Sequence, residues 1–163
     1  MPDSRVIHHK SPIGWIEIKG SEAGVSALNF VGSGSAKAER PRKELLPAPL
    51  ADCLTQLDEY FRGDRTAFSV KLDLRGTAFQ KQVWDQLLRV KFGRTTTYKA
   101  LAEAIGRPAA TRAVGGANHR NPVSIVVPCH RVVGSDGSLT GYGGGLWRKE
   151  WLLGHERRDL TLS

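Results

Sequence analysis

The chain is poor in the residues from which disulfide frameworks, metal clusters and membrane spans are built. Its 163 residues include two cysteines, Cys53 and Cys129. They are too few and too far apart for a disulfide framework, which points to reducing surroundings. No apolar run approaches the roughly 20 residues that a membrane span needs. The opening Met1-Pro2-Asp3-Ser4-Arg5 lacks the basic and then apolar stretches of a signal peptide, so a cytoplasmic setting is expected. His8 and His9 are adjacent, with no Cys/His cluster of zinc spacing beside them, so no metal site is expected there. Acidic residues are scarce in one half only. Residues 1–75 carry 11 Lys/Arg against 10 Asp/Glu, whereas residues 76–163 carry 13 against 6. A near-neutral half joined to a basic one points to a polyanionic partner for the second half.

The first half reads as mixed α/β. Ile13 to Ile18 and Val25 to Val31 have the look of strands in a hairpin or meander, and residues 32–49 that of a surface loop. Leu50, Cys53, Leu54, Leu57, Tyr60 and Phe61 recur at helical spacing, with Gly63 where a C-terminal cap belongs. Cys53 lies on that apolar stripe, which makes it a core residue rather than a nucleophile. Phe68, Val70, Leu72 and Leu74 alternate with polar residues and predict a half-buried strand.

Arg75-Gly76 marks a boundary, which divides the chain into an α/β domain at 1–75 and a second domain at 76–163. Thr77-Ala78-Phe79-Gln80 fits a capping box opening a helix that buries Phe79, Val83, Trp84, Leu87 and Leu88. A short helix is expected from Thr97 or Tyr98 to Gly106, burying Leu101 and Ile105. A third follows from Ala109 to about Ala117. Two short helices joined by Gly106-Arg107-Pro108 have the layout of a helix-turn-helix, or of an ordinary αα-corner. The third helix is almost without bulk: Ala109, Ala110, Ala113, Gly115, Gly116 and Ala117 leave Arg112 as its one long cation. Such a surface lets another backbone approach closely, whether a protein helix or DNA.

Ser124-Ile125-Val126-Val127 is a β-rich run stopped by Pro128, and Cys129-His130-Arg131 follow at once. An unassisted thiol is only a few per cent thiolate at neutral pH, so a nucleophilic cysteine needs a base or a positive charge nearby. His130 and Arg131 are the candidates, together with a carboxylate to orient the imidazole. In a regular strand Cys129 and His130 would face opposite ways. The chain must therefore turn at Pro128, or a water must bridge the two. A Cys/His/Glu hydrolase and a helix-turn-helix module without chemistry both remain open on these residues alone.

Five linked motifs narrow the choice: Arg112-Ala113-Val114-Gly115-Gly116-Ala117, Asn121-Pro122, Ile125 to Val132, Gly141-Tyr142-Gly143-Gly144-Gly145, and Lys149 to Glu156. Their order and spacing over about residues 76–156 resemble those of the O6-alkylguanine-DNA alkyltransferases; the first half matches loosely, in length and element order. The resemblance implies a ribonuclease-H-like N-terminal domain with a small sheet, and a mainly helical, winged helix-turn-helix-like C-terminal domain. It implies that Cys129 accepts the alkyl group, with His130 as its base through a water, Glu156 orienting the imidazole and Asn121 as a hinge. Tyr98, Val132, Tyr142, Gly143 and Lys149 would meet the extruded base. Arg112, as a finger filling the gap in the duplex, would act with Ala113, Gly115 and Gly116 on the DNA. The implied partner is double-stranded DNA carrying alkylated guanine, and also O4-alkylthymine, repaired once per protein molecule. No cofactor and no structural zinc is expected, nor any obligate protein partner; the chain would be a monomer that can assemble cooperatively on DNA. Non-catalytic relatives lack the cysteine, and Cys129 is present.

Overall fold

Three consecutive strands, Arg5–Ser11 (β1), Gly14–Ser21 (β2) and Gly24–Val31 (β3), form an antiparallel meander in the order β1-β2-β3. They are drawn from a computed structural model, which describes residues 4–35 and 41–161. Residues 36–40 of the expected 32–49 loop lie outside that range, as do Met1, Pro2 and Asp3. The chain divides into two compact units, Met1–Arg75 and Gly76–Ser163.

In the first unit β2 alternates around the buried Ile16 and Ile18, as a strand with one covered face must. The covering element is α1, Ala48–Arg62, whose buried Leu50, Cys53, Leu54, Leu57 and Tyr60 lie against the sheet. Gly63 ends the helix at φ 86°, a left-handed conformation that glycine takes without a steric cost. Cys53 is wholly buried, and burial with the nearby Asp52 charge pushes its thiol up to about 12. β1 was not legible in the sequence: its burial pattern, with Ile7 and His8 both buried, departs from strict alternation. The strand expected at 68–74 is a correction. That segment is extended but makes a single parallel bridge, Leu72 to Val25, through Val25 N–H to Lys71 O and Asp73 N–H to Val25 O. Its alternation is real, yet one bridge is all the pairing it has.

The second unit opens with α2, Ala78–Leu88. Thr77 and Gln80 make the reciprocal capping box, at 3.1 Å and 3.0 Å. Val83, Trp84 and Leu87 are buried, whereas Leu88, expected inside, is exposed at the helix end. The Trp84 indole N–H donates to Ala117 O at 2.9 Å. That bond ties α2 to α4, Thr111–His119, which starts two residues later than its composition suggested. Between them runs α3, Tyr98–Ala104, capped by Thr97 at Ala100 N–H and closed by Gly106 at φ 74°. β4, Thr96–Thr97, pairs in parallel with β5, Val132–Val133. A last helix, α5, spans Leu146–Thr161. No helix among the described residues is long and apolar enough to cross a membrane.

Candidate active site

The run 124–127 is a tight turn rather than the β-rich lead-in that its residue types suggested. Val126 N–H donates to Ser124 O at 2.8 Å, and Val127 N–H to Val123 O at 3.0 Å. Ile125 sits at φ 72°, a conformation that a β-branched residue adopts at a cost of about 1–3 kcal/mol. Asn121 holds the turn from inside. Its Nδ2 donates to Val127 O at 2.8 Å, and its Oδ1 accepts from Val123 N–H at 3.0 Å. The chain then bends at Pro128 (φ −82°, ψ 64°) into a single 3-10 turn, Cys129–Arg131. All three residues of that turn are buried.

Burial pushes the Cys129 thiol up, against the lowering effects of a hydrogen bond from the Asn121 side chain and of the Lys149 charge. The resting sulfur is therefore a protonated thiol that has to lose its proton to act. His130 is fully buried, and its Nε2 lies 2.7 Å from Glu156 Oε2. Burial pushes the Glu156 carboxyl up, but the charge and hydrogen bonds of His130 and Arg131 outweigh it and hold it well below its usual range. An ionised carboxylate can only accept, so Nε2 carries the hydrogen and Nδ1 is the basic nitrogen. Burial keeps the imidazole below its ordinary value of 6.5, despite the pull of Glu156. Nδ1 is itself buried and has no hydrogen-bond partner. Among the described residues no hydrogen bond joins His130 directly to Cys129.

Arg131 completes the group. Its Nε donates to Glu156 Oε1 at 2.8 Å, its Nη2 to Oε2 at 3.1 Å and its Nη1 to Val90 O at 2.6 Å. Its guanidinium carbon lies 5.9 Å from the Phe92 ring centre. In the sequence Arg131 is a charge near the thiol; its place immediately after His130 is the signal for a shared partner.

Lys149, on α5, is fully buried and donates to Thr140 O at 2.9 Å. Burial lowers its ammonium, and the proximity of Cys129 opposes that. Tyr98, the first residue of α3, has its hydroxyl 2.7 Å from Thr140 Oγ1. Thr140 was not anticipated. Val132 is buried in β5, opposite Thr96. Tyr142 keeps its hydroxyl buried, which holds the phenol well above its ordinary value. Gly143 is exposed, and a Cβ there would meet nothing within 4 Å.

α4 turns Val114, Ala117 and Asn118 inward and leaves Arg112, Ala113 and Gly116 exposed. A Cβ on Gly115 would stand 3.8 Å from the Tyr98 ring, and one on Gly116 would stand in open space. The small residues of this face therefore answer no packing demand within the chain.

Comparison with known proteins follows these two halves. Residues 78–158 match the family model of the 6-O-methylguanine DNA methyltransferase DNA binding domain, and residues 6–74 that of its ribonuclease-like domain. A methylated-DNA–protein-cysteine methyltransferase of Mycolicibacterium paratuberculosis is 47% identical over 153 residues, covering 94% of this chain and 92% of that protein. The chain belongs to the methylated-DNA–protein-cysteine methyltransferase family. A Methanosarcina barkeri methyltransferase of the same name is 46% identical over 93% of this chain and 96% of its own length. The crystal structure of Mycobacterium tuberculosis O6-methylguanine methyltransferase is similar with a TM-score of 0.82 and 41% identity, covering 98% of both chains. So is a Mycobacterium tuberculosis OGT in complex with DNA, at 0.82 and 43%, covering 96% of this chain and 98% of that one. The fold class is thus the methyltransferase family's: a ribonuclease-like first domain with a small sheet and a mainly helical second domain.

Proposed function

We propose that this methyltransferase repairs alkylated DNA by moving the alkyl group of an extruded O6-alkylguanine, and of O4-alkylthymine, onto Cys129 Sγ. The observation that carries the reading is a buried thiol followed at once, in the same 3-10 turn, by a buried imidazole whose Nε2 is held by Glu156 and whose basic Nδ1 has no partner. A water between Sγ and Nδ1 would carry the proton to His130 as the sulfur attacks the alkyl carbon. The carbon–oxygen bond breaks, a carbon–sulfur bond forms, and guanine leaves as an anion beside Lys149 and the Tyr98 hydroxyl. The product is a thioether, stable to water, so each molecule acts once.

Residues 76–163 serve in this reading as the DNA-binding and active-site domain, working as a monomer that can also assemble cooperatively on DNA. A duplex would be met by the small face of α4, where the exposed Ala113 and Gly116 and the half-buried Gly115 admit a groove wall closely and Arg112 fills the gap left by the lesion. Extrusion is required because the O6 substituent lies within the base stack, out of reach of an in-line sulfur. A hydrolase is poorly served here. The Cys129 amide already donates to Val127 O and the Arg131 amide to Pro128 O, so neither is free to stabilise an oxyanion.

The test is intact-mass and peptide analysis after mixing the protein with duplex DNA containing O6-methylguanine. One methyl group on the peptide holding Cys129, none on that holding Cys53, and cessation after one equivalent are expected. Complete repair with an unmodified Cys129 peptide would overturn the mechanism.

A further inference from the structure

We propose that Thr140 is a positioning residue for base departure, whose hydroxyl sets the direction in which the Tyr98 hydroxyl donates. The proposal rests on the reading of Tyr98 and Lys149 as groups that face the departing base, and extends it to a residue that the sequence motifs did not mark.

Thr140 precedes the glycine-rich stretch before α5, and two distant elements converge on it. Its Oγ1 lies 2.7 Å from the hydroxyl of Tyr98, 42 residues earlier, and its carbonyl accepts the buried ammonium of Lys149 at 2.9 Å. One residue therefore holds both groups assigned to the leaving guanine. The Tyr98 ring faces Gly115 of α4, where a Cβ would stand 3.8 Å from it. The phenolic hydrogen is still free to rotate about its C–O bond, and only a partner decides where it points.

Each hydroxyl has one hydrogen. If Tyr98 spends its own on Thr140, none is left for the base. If Thr140 donates to Tyr98, the phenolic hydrogen is released toward the base. A chain Thr140 O–H to Tyr98 Oη–H to base is then aligned, and each bond in it strengthens the other. As negative charge develops on the departing guanine, some is shared with the phenol oxygen, where the Thr140 hydrogen offsets it. Thr140 contributes only through Tyr98 in this scheme, and its contribution grows as the alkyl group leaves.

The test is single-turnover transfer from O6-methylguanine duplex DNA, with the rate constant at saturating DNA separated from DNA affinity. Thr140→Val should lower the rate constant about five- to tenfold, the size expected for one neutral hydrogen bond, and leave affinity within about twofold of the wild type on the same grounds. Thr140→Ser should restore it. Tyr98→Phe should be slow by itself, and adding Thr140→Val to it should cost nothing more. A wild-type rate for Thr140→Val beside a slow Tyr98→Phe overturns the proposal and leaves the Tyr98 reading standing. An equal further loss in the Tyr98→Phe background also overturns it, since Thr140 would then be acting through the loop. A wild-type rate for Tyr98→Phe overturns the Tyr98 reading itself. Should Thr140→Val melt early, Thr140→Ala, which removes the hydroxyl without putting a methyl in its place, supplies the same comparison.

Discussion

Arg131 holds Glu156 by two parallel hydrogen bonds, Nε to Oε1 at 2.8 Å and Nη2 to Oε2 at 3.1 Å, while His130 takes the same Oε2 at 2.7 Å. One carboxylate is thus divided between a permanent cation and an imidazole. The division has a chemical consequence. A buried carboxylate facing His130 alone would draw a proton onto the ring, and an imidazolium cannot accept the thiol's proton. By taking a share of the charge, Arg131 keeps the carboxylate ionised and leaves the imidazole neutral, able to act as a base.

Arg131→Met should therefore cost the fold about 3–5 kcal/mol, the usual penalty for leaving one buried charge without its partner. Chemical denaturation gives the number. A loss below about 1 kcal/mol would put Arg131 among ordinary surface pairs, and the shared-carboxylate account would be wrong.

Glu156→Gln keeps the shape and removes the charge that, in the proposed mechanism, stabilises His130 as it takes up the proton. The transfer rate at saturating DNA should fall on the order of a hundredfold or more, the range of general-base effects. DNA affinity should hold, because Glu156 is buried in the second unit and is not part of the exposed face of α4. A variant that loses affinity and keeps its rate would contradict the assignment.

The stability–pH profile follows from the same groups. The folded His130 is held below its ordinary value of 6.5 and Glu156 below its ordinary 4.5. As pH falls below 6.5 the unfolded chain takes up a proton at His130 that the folded one refuses, and below 4.5 Glu156 adds to this. Stability is therefore lost toward acid. Cys129 and Cys53 are both raised above 9.0, so above that pH the unfolded chain releases protons that the folded one keeps, and stability is lost toward alkali as well. Urea midpoints across pH 4 to 10 for the wild type, His130→Asn and Cys129→Ala separate the terms. The first variant should make the acid limb shallower above pH 4.5 and the second should make the alkaline limb shallower, with Cys53 carrying the remainder; a limb that does not change would show that the replaced group contributes nothing to it.

What the sequence disclosed depended on whether a signal was local. The Thr77–Gln80 capping box, the Gly63 cap and the apolar stripe of α1 are each complete within a few residues, and all appear in the structure. The β1 strand was hidden because His9, in register with Ile16 on the face that α1 covers, pairs with Asp58 of that helix at 3.0 Å, so a polar residue occupies a position where a hydrophobic one was sought. The 124–127 turn was hidden for the opposite reason. Ser-Ile-Val-Val has strong β propensity, and Asn121, three residues upstream, overrides it with two buried hydrogen bonds. Cys129, His130 and Glu156 could be read as a group through family resemblance. Thr140 could not, because its two partners are 42 and 9 residues away and no short-range pattern announces such contacts.

Asn121 makes that override measurable. Asn121→Asp keeps an acceptor for Val123 N–H and sets a second acceptor against Val127 O, which also receives the Cys129 amide. It should destabilise by about 2–4 kcal/mol, since a donor is replaced by a repelling oxygen inside the protein. It should also slow transfer, because the lowering influence of the Asn121 side chain on the Cys129 thiol gives way to a nearby negative charge that raises it. Thermal melts and single-turnover rates check both. A stable, slow variant would assign Asn121 to the thiol alone, and an unstable, fast one to the turn alone.

Gly116 separates fold from function most directly, because the two demand opposite things of it. It lies in α4, exposed, with nothing within 4 Å of a built Cβ, so the chain itself has no use for a glycine there. Replacing it by leucine should stabilise the helix by roughly 0.8 kcal/mol, glycine being that much poorer than ordinary helix formers. If α4 meets DNA through this face, the same side chain stands between backbone and groove, and affinity for duplex DNA should fall at least about tenfold, on the order of the 1–3 kcal/mol that overpacking a close interface costs. Gly154→Leu on α5, equally exposed and equally open, is the control: it should gain stability and leave DNA affinity unchanged. Denaturation midpoints and titrations of labelled duplex at fixed salt give both quantities. Wild-type affinity in Gly116→Leu would move the DNA to another face of the second unit.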